Sequence, residues 1–210
     1  MYRNTFLSVM FLACCFNGSL CAQSDAQIYE RTCDAKTYPF SDPSPVATPN
    51  NSYYPYFRFD GFSMQAQEKQ WKMVVLENDY VKLTVTPEIG GKIWGAIDKV
   101  NNKEFVYTNG VVKFRDVAMR GPWTSGGIEF NFGIIGHAPT CSTPIDYLTK
   151  KNVDGSVSCH IFSYEWITRT VWNVEINLPK DKAYFTTHTT WFNQSSIDQP
   201  YYQWMNAGYA

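Results

Sequence analysis

Hydrophobic and polar residues alternate along much of the chain after residue 64. Two clear examples are Tyr80–Thr86 and Thr168–Ile176, where apolar side chains recur at every second position. This period is typical of strands that bury one face. Other runs predicted as strands are Trp71–Glu77, Lys92–Ile97, Phe105–Tyr107, Ser156–Tyr164, Ile167–Leu178, Ala183–Asn193 and Tyr201–Met205. No stretch keeps an apolar period of about 3.6 residues, so we expect little helix.

Turn-forming residues separate these runs, and strands recur roughly every ten residues. The spacing predicts an all-β protein, an antiparallel β-sandwich, rather than an α/β fold. The sequence stops at Ala210 soon after a strand pattern, which favours a sandwich truncated at its C-terminus. The predicted divisions are a signal peptide (1–22), an extended Pro-rich leader (23–63) and a β-sandwich domain (64–210), the last being the N-terminal part of a larger domain.

The N-terminus has the pattern of an export signal. Arg3 precedes an apolar run from Phe6 to Phe16, and Leu20-Cys21-Ala22 ends in a small residue suited to cleavage. The run is too short to span about 30 Å of hydrocarbon, so we expect no membrane span. A lipoprotein is the alternative, although the residues before each cysteine fit lipid attachment poorly. Either route predicts an extracytoplasmic (periplasmic or secreted) protein.

Charge excludes some partners and aromatic content favours others. The 18 basic and 19 acidic residues give a net charge of -1, which does not indicate a nucleic-acid partner. Aromatic residues make up 17% of the chain, with 14 Tyr and 7 Trp. These flat side chains with polar tips suit a thick β core, a wet binding surface, or both.

Three cysteines remain after the predicted cleavage site: Cys33, Cys141 and Cys159. An odd number permits at most one disulfide within the chain, and Cys141 with Cys159 is one possible pair. Three unpaired thiols are the alternative. No Cys/His spacing is typical of zinc, so the sequence predicts no metal and no cofactor.

The segment 113–147 differs from the strands around it, because glycine and proline alternate with ionisable and aromatic residues. We expect a long functional loop without strands of its own. Sugar sites combine aromatic faces with planar polar groups, and sugar chemistry adds two proton-handling groups. The candidate substrate-binding residues are Arg115, Arg120, Trp123 and Asn131, and the candidate catalytic residues are Glu129, His137 and Asp146.

Several of these residues also have purely structural interpretations. Glu129 alternates with Ile128 and Phe130, as a strand residue facing water does. The two arginines suit ion pairs, Asp146 suits a turn or cap, and His137 suits a structural role. Trp94 lies in a strand pattern and is predicted to be core.

Two motifs resemble known proteins. The segment Thr86–Trp94, with its Pro-Glu-Ile-Gly-Gly corner, resembles the opening of the galactose-mutarotase-like superfamily. The run from Phe114 to Tyr147, most specifically its Arg-Gly-Pro-Trp-Thr-Ser-Gly-Gly-Ile-Glu part, resembles an exported bacterial domain family of unknown function, whose members often carry tetratricopeptide repeats downstream. The resemblance covers about residues 38–210. It implies a carbohydrate-binding β-sandwich, and a possible downstream repeat domain in a longer protein.

The same resemblance implies a histidine acid and a late-strand glutamate base. The motif around His137 departs from the mutarotase one, so the acid is not matched, and the glutamate would lie beyond Ala210. We therefore expect an exported carbohydrate-binding domain, with an oligosaccharide or glycan as partner. The alternatives are a sugar-active enzyme (a glycoside hydrolase or aldose epimerase) and a structural or interaction module.

Overall fold

The computed structural model describes residues 24–39, 63–116, 122–133, 137–166 and 168–210. The predicted signal peptide and residues 40–62 of the predicted leader lie outside these ranges. The described strands are β1 (Gln27–Thr37), β2 (Gln67–Glu77), β3 (Val81–Thr86), β4 (Lys92–Asp98), β5 (Lys103–Val106), β6 (Val111–Val112), β7 (Arg115–Asp116), β8 (Pro122–Trp123), β9 (Ile128–Phe132), β10 (Asp146–Lys151), β11 (Val157–Glu165), β12 (Thr170–Leu178), β13 (Thr186–Asn193) and β14 (Gln203–Ala207). Two 3-10 turns cover Pro87–Ile89 and Pro139–Ser142.

The strands form two main sheets and a small ribbon. The large sheet has the order β14-β9-β4-β3-β2-β1-β6, and β5 also pairs with β4. The small sheet is β10-β11-β12-β13, and β7 pairs with β8. All pairings are antiparallel except the short one between β1 and β6.

Alternation along each strand creates the core between the two sheets. In β12 every second side chain is buried, as the period-two pattern predicts. Phe132 of the large sheet stacks on Trp172 of the small sheet with ring centroids 4.1 Å apart. Both belong to one buried cluster that also contains Leu83, Ile93 and Val174. The predicted antiparallel β-sandwich is thus confirmed.

The described strands differ from the sequence expectation in the predicted leader and in the predicted strandless loop. Strand β1 lies within the predicted leader, and its full length pairs with β2, so residues 27–37 belong to the large sheet. The prediction that residues 113–147 form no strands is wrong, because β7, β8, β9 and the start of β10 lie within this segment. All residues of β9 are buried.

The run Ile128–Phe132 alternates apolar and polar residues, so the local pattern predicts that Glu129 faces water. Glu129 and Asn131 are buried instead because His137, Ala138 and Asn206 contact them, and no local pattern contains those contacts.

Cys33, Cys141 and Cys159 are all free, and the latter two are buried. These three cysteines are therefore unpaired thiols in the structure, and Cys141 and Cys159 do not form a disulfide. Within the described ranges, no helix has the length and apolar character needed to cross a bilayer.

Candidate functional site

The candidate site lies on the face of the large sheet that points away from the small sheet. Ile128, Phe130 and Phe132 of β9 join the core between the sheets. Side chains alternate along a strand, so Glu129 and Asn131 point to the opposite face. On this outer face β9 lies between β4 and β14, which supply the neighbouring side chains.

Glu129 and His137 form the closest polar contact of the site. Glu129 Oε1 lies 2.6 Å from His137 Nδ1, and the side chains are 4% and 11% exposed. An ionised carboxylate only accepts hydrogen bonds, so Nδ1 is the donor in this contact and Nε2 takes no part in it. A carboxylate that orients an imidazole in this way is a recurring arrangement in general acid–base catalysis.

Amide side chains hold this pair in place. Asn131 Nδ2 donates to Glu129 Oε1 at 2.8 Å, and Asn206 Nδ2 donates to the same oxygen at 3.4 Å. Asn131 Oδ1 accepts hydrogen bonds from the Ala138 backbone N–H and from Cys141 Sγ. Asn131 therefore connects strand β9 to the turn that carries Ala138 and Cys141.

Lys92 of β4 provides a buried positive charge next to this pair. Its Nζ donates to the backbone oxygen and to Oγ1 of Thr124, both at 2.9 Å. Burial lowers the pKa of Lys92, and the negative charge of Glu129 opposes that shift. Burial also raises the pKa of the Cys141 thiol well above its usual range, and Glu129 adds to this effect.

A cleft of about 390 Å³ opens above these groups. The half-buried Trp123 of β8 forms part of its wall, and its ring lies 6.1 Å from that of His137. Trp204 of β14 packs edge-on against His137, with ring centroids 5.0 Å apart. Other lining residues include Lys92, Glu129 and Asn206.

Two glycines before β9 shape the cleft. Gly126 and Gly127 have φ angles of 77° and 68°, in the left-handed region that side chains disfavour. A Cβ on Gly127 would lie 2.2 Å from the backbone oxygen of Ile93. Glycine at 127 therefore allows the chain to pass close to β4 before Glu129 enters the sheet.

The structure brings some of the predicted site residues together. Glu129, His137 and Trp123 line the cleft, whereas Asn131 is fully buried beneath it and contacts Glu129. The water-facing interpretation of Glu129 is wrong, since the residue is 3% exposed. Trp94 is buried as predicted.

The other predicted residues lie elsewhere. Asp146 begins β10 of the small sheet, is exposed, and does not line the cleft. Arg115 pairs through its backbone with Trp123, and its side chain lies outside the described parts. Arg120 also lies outside the described residues.

Sequence reasoning missed Lys92, Thr124, Cys141, Trp204 and Asn206. Lys92 follows Gly90-Gly91 and is the first residue of a largely buried strand. Because lysine is rarely buried, a lysine in such a strand is a sequence signal for a functional residue. The contribution of β14 depends on long-range pairing, in which Asn206 is opposite Glu129. No local pattern contains that information.

A second cleft of about 660 Å³ lies over β1 to β4 on the same outer face. Its walls mix both charges and include Arg31, Cys33, Glu68, Lys82 and Trp94. Glu129 and His137 line the first cleft and do not line the second. The first cleft is therefore the better candidate for a functional site.

Comparison with known proteins identifies a family and a fold relative. The model of a domain of unknown function (DUF5107) matches residues 48–210. A solved crystal structure of a TPR-domain containing protein from Parabacteroides distasonis is similar with a TM-score of 0.78 and 25% identity. The match covers 88% of this chain and 32% of that one, so this chain spans about a third of the relative's length.

Proposed function

The chain belongs to the DUF5107 family, and we propose that its outer-face cleft binds carbohydrate. The observation that carries this proposal is that Trp123 lines the same cleft as the buried Glu129 carboxylate, the buried Lys92 ammonium and the His137 imidazole, which is 11% exposed. An aromatic face suits the C–H side of a sugar ring, and Glu129, Lys92 and Asn206 offer acceptors and donors for its hydroxyls. The cleft volume falls within the range of about 300–1,000 Å³ typical of small-molecule sites.

Thermal melting with a panel of plant and host oligosaccharides tests this proposal. A ligand selective for the folded state raises the melting temperature. We expect one sugar class to do so, and Trp123→Ala to weaken its affinity by about tenfold or more. Tyr184→Ala is the matched control, because Tyr184 is an exposed aromatic residue away from the cleft. No response to any sugar, or equal loss in both variants, would contradict sugar binding at this cleft.

A second candidate function is proton transfer on the bound sugar, as in an aldose epimerase. The Glu129–His137 hydrogen bond favours it, because it leaves His137 Nε2 to exchange a proton with an anomeric hydroxyl. In the described cleft wall Glu129 is the one carboxylate. This set suits a histidine-based mechanism better than the two-carboxylate mechanism of most glycoside hydrolases.

Mutarotation followed by polarimetry tests this second function. Glu129→Gln and His137→Asn should each lower the catalysed rate by about 10²–10⁴-fold while sugar still binds. Glu68→Gln, an exposed carboxylate of β2, is the control and should leave the rate unchanged. If the protein binds sugar but does not accelerate the interconversion of its anomers, the enzymatic function is contradicted and the sugar-binding function remains.

Three further parts of the proposal concern location, ligand and partner. The predicted export signal supports an extracytoplasmic location, where glycans are available. The galactose-mutarotase-like motif supports a sugar ligand. The similarity to a TPR-domain containing protein supports a repeat domain as partner in a longer protein.

A further inference from the structure

Three chemically different ligand atoms converge at the base of the cleft. A Glu129 carboxylate oxygen, a ring nitrogen of His137 and Cys141 Sγ all lie within 4.8 Å of one another. Glu129 and His137 line the cleft, and Cys141 is 5% exposed and lies outside the described cleft wall. Carboxylate, imidazole and thiolate are the three side-chain ligand types found in protein zinc sites.

We propose that Glu129, His137 and Cys141 bind one zinc-type transition-metal ion whose fourth position faces the cleft. Three protein ligands with one open position is the arrangement of catalytic zinc sites. A thiolate ligand selects zinc-like ions over magnesium and calcium, which prefer oxygen. The open position would take water or a ligand hydroxyl.

Asn131 supports the ligand set from behind. It donates to Glu129 Oε1 at 2.8 Å, a bond that does not require the Cys141 proton, whereas the 3.4 Å hydrogen bond from the Cys141 thiol to Asn131 Oδ1 exists only in the metal-free state. Its Oδ1 also receives the Ala138 backbone N–H at 2.7 Å, which fixes the turn carrying Cys141. Such outer contacts orient metal ligands and raise affinity.

Metal binding requires a small rearrangement. Glu129 Oε1 and His137 Nδ1 are 2.6 Å apart, a hydrogen-bond distance. Tetrahedral ligands with bonds of about 2.0–2.2 Å to zinc lie about 3.4 Å apart. The ion therefore takes the place of the shared proton, and the Cys141 thiol releases its proton to solvent. The metal and the Glu129–His137 proton pair are alternative states of the same side chains, and the metal does not depend on sugar binding.

Cobalt(II) titration of the full, metal-stripped chain tests the site without any sugar. We expect one equivalent of Co²⁺ to bind, with a thiolate-to-cobalt charge-transfer band in the near ultraviolet. Cys141→Ser should remove that band, and His137→Ala should weaken Co²⁺ affinity by at least about tenfold. Cys33→Ser is the matched control, because Cys33 lies in β1 by the second cleft.

Absence of the band in the unsubstituted chain, its persistence in Cys141→Ser, or its loss in Cys33→Ser would overturn the proposal. If a variant fails to fold, X-ray absorption of the zinc-loaded unsubstituted chain decides instead. One sulfur at about 2.3 Å with nitrogen and oxygen at about 2.0–2.2 Å is expected. A shell without sulfur would overturn it.

Discussion

Lys92 is a buried ammonium whose hydrogen bonds within the described residues go to two oxygens of Thr124. It is 2% exposed, and neutral oxygens compensate a buried charge less well than a carboxylate does. The folded state therefore carries a desolvation cost at this residue. Such costs are commonly retained where a site uses the charge.

Lys92→Met is the prediction at the residue scale. The variant keeps an apolar stem and removes the buried charge, so its unfolding free energy at pH 7 should be unchanged or higher by up to about 4 kcal/mol. Sugar affinity should fall by about tenfold if the ammonium contacts the ligand. Chemical denaturation and calorimetry measure the two effects, and Lys103→Met on the exposed surface is the control.

The pH dependence of this difference follows from the lowered pKa of Lys92. Below the pKa of Lys92 in the folded protein, the desolvation cost of its charge lowers the unfolding free energy in full. This cost disappears as the pH rises past the ordinary lysine pKa of 10.5, where Lys92 is neutral in both the folded and the unfolded protein. Any stability advantage of Lys92→Met should shrink as the pH approaches that value. A variant that is less stable and binds sugar normally would show that Lys92 is structural.

At the scale of elements, the site depends on how β9 enters the sheet. Gly127 precedes β9 by one residue, and its N–H donates to Tyr107 O while its oxygen accepts from Gly208 N–H. These bonds hold the approach to β9 between two neighbouring segments. The left-handed backbone at Gly127 then places Glu129 opposite Asn206.

Gly127→Ala is the prediction at this scale. The left-handed conformation costs a side chain about 1–2 kcal/mol, and the contact with Ile93 O adds to that cost. We expect a fall in unfolding free energy of about 2 kcal/mol or more, with weaker sugar binding. Gly110→Ala is the control, since a Cβ there meets nothing within 4 Å. Equal stability of the two variants would contradict the role given to this backbone.

At the scale of the whole molecule, the outer-face site rests on a core formed by the opposite face of the same strand. Phe132 follows Glu129 and Asn131 along β9 and stacks on Trp172 of the small sheet. Both rings are 1% exposed. Packing between the sheets therefore fixes the strand from which the site projects.

Phe132→Ala should lower the unfolding free energy by about 3–5 kcal/mol, because it removes buried aromatic surface and leaves a cavity. Phe192→Ala is the matched control, because Phe192 is 55% exposed on β13 and its loss should cost under about 0.5 kcal/mol. Urea denaturation compares the two variants. A cost below about 1 kcal/mol for Phe132→Ala would mean that the sheets do not depend on this stack.

Local patterns predicted the sandwich because each alternating strand carries its own signal. The runs at Val81–Thr86 and Thr170–Leu178 are strands as expected. The site was only partly predictable. Glu129, His137 and Trp123 are close in sequence, so one segment suggested all three. Lys92 and Asn206 lie on β4 and β14, which are distant in sequence and pair with β9 on either side. Asp146 shares the loop in sequence, but its strand belongs to the other sheet.

The location of the sugar tests the central claim most directly. Titration of the ¹⁵N-labelled chain with the stabilising oligosaccharide resolves the indole N–H of each tryptophan. We predict that the Trp123 signal shifts with saturation, while Trp172 in the core does not. A saturable shift of Trp94, which borders the second cleft, with Trp123 unaffected would contradict the assignment of the Glu129–His137 cleft as the carbohydrate site.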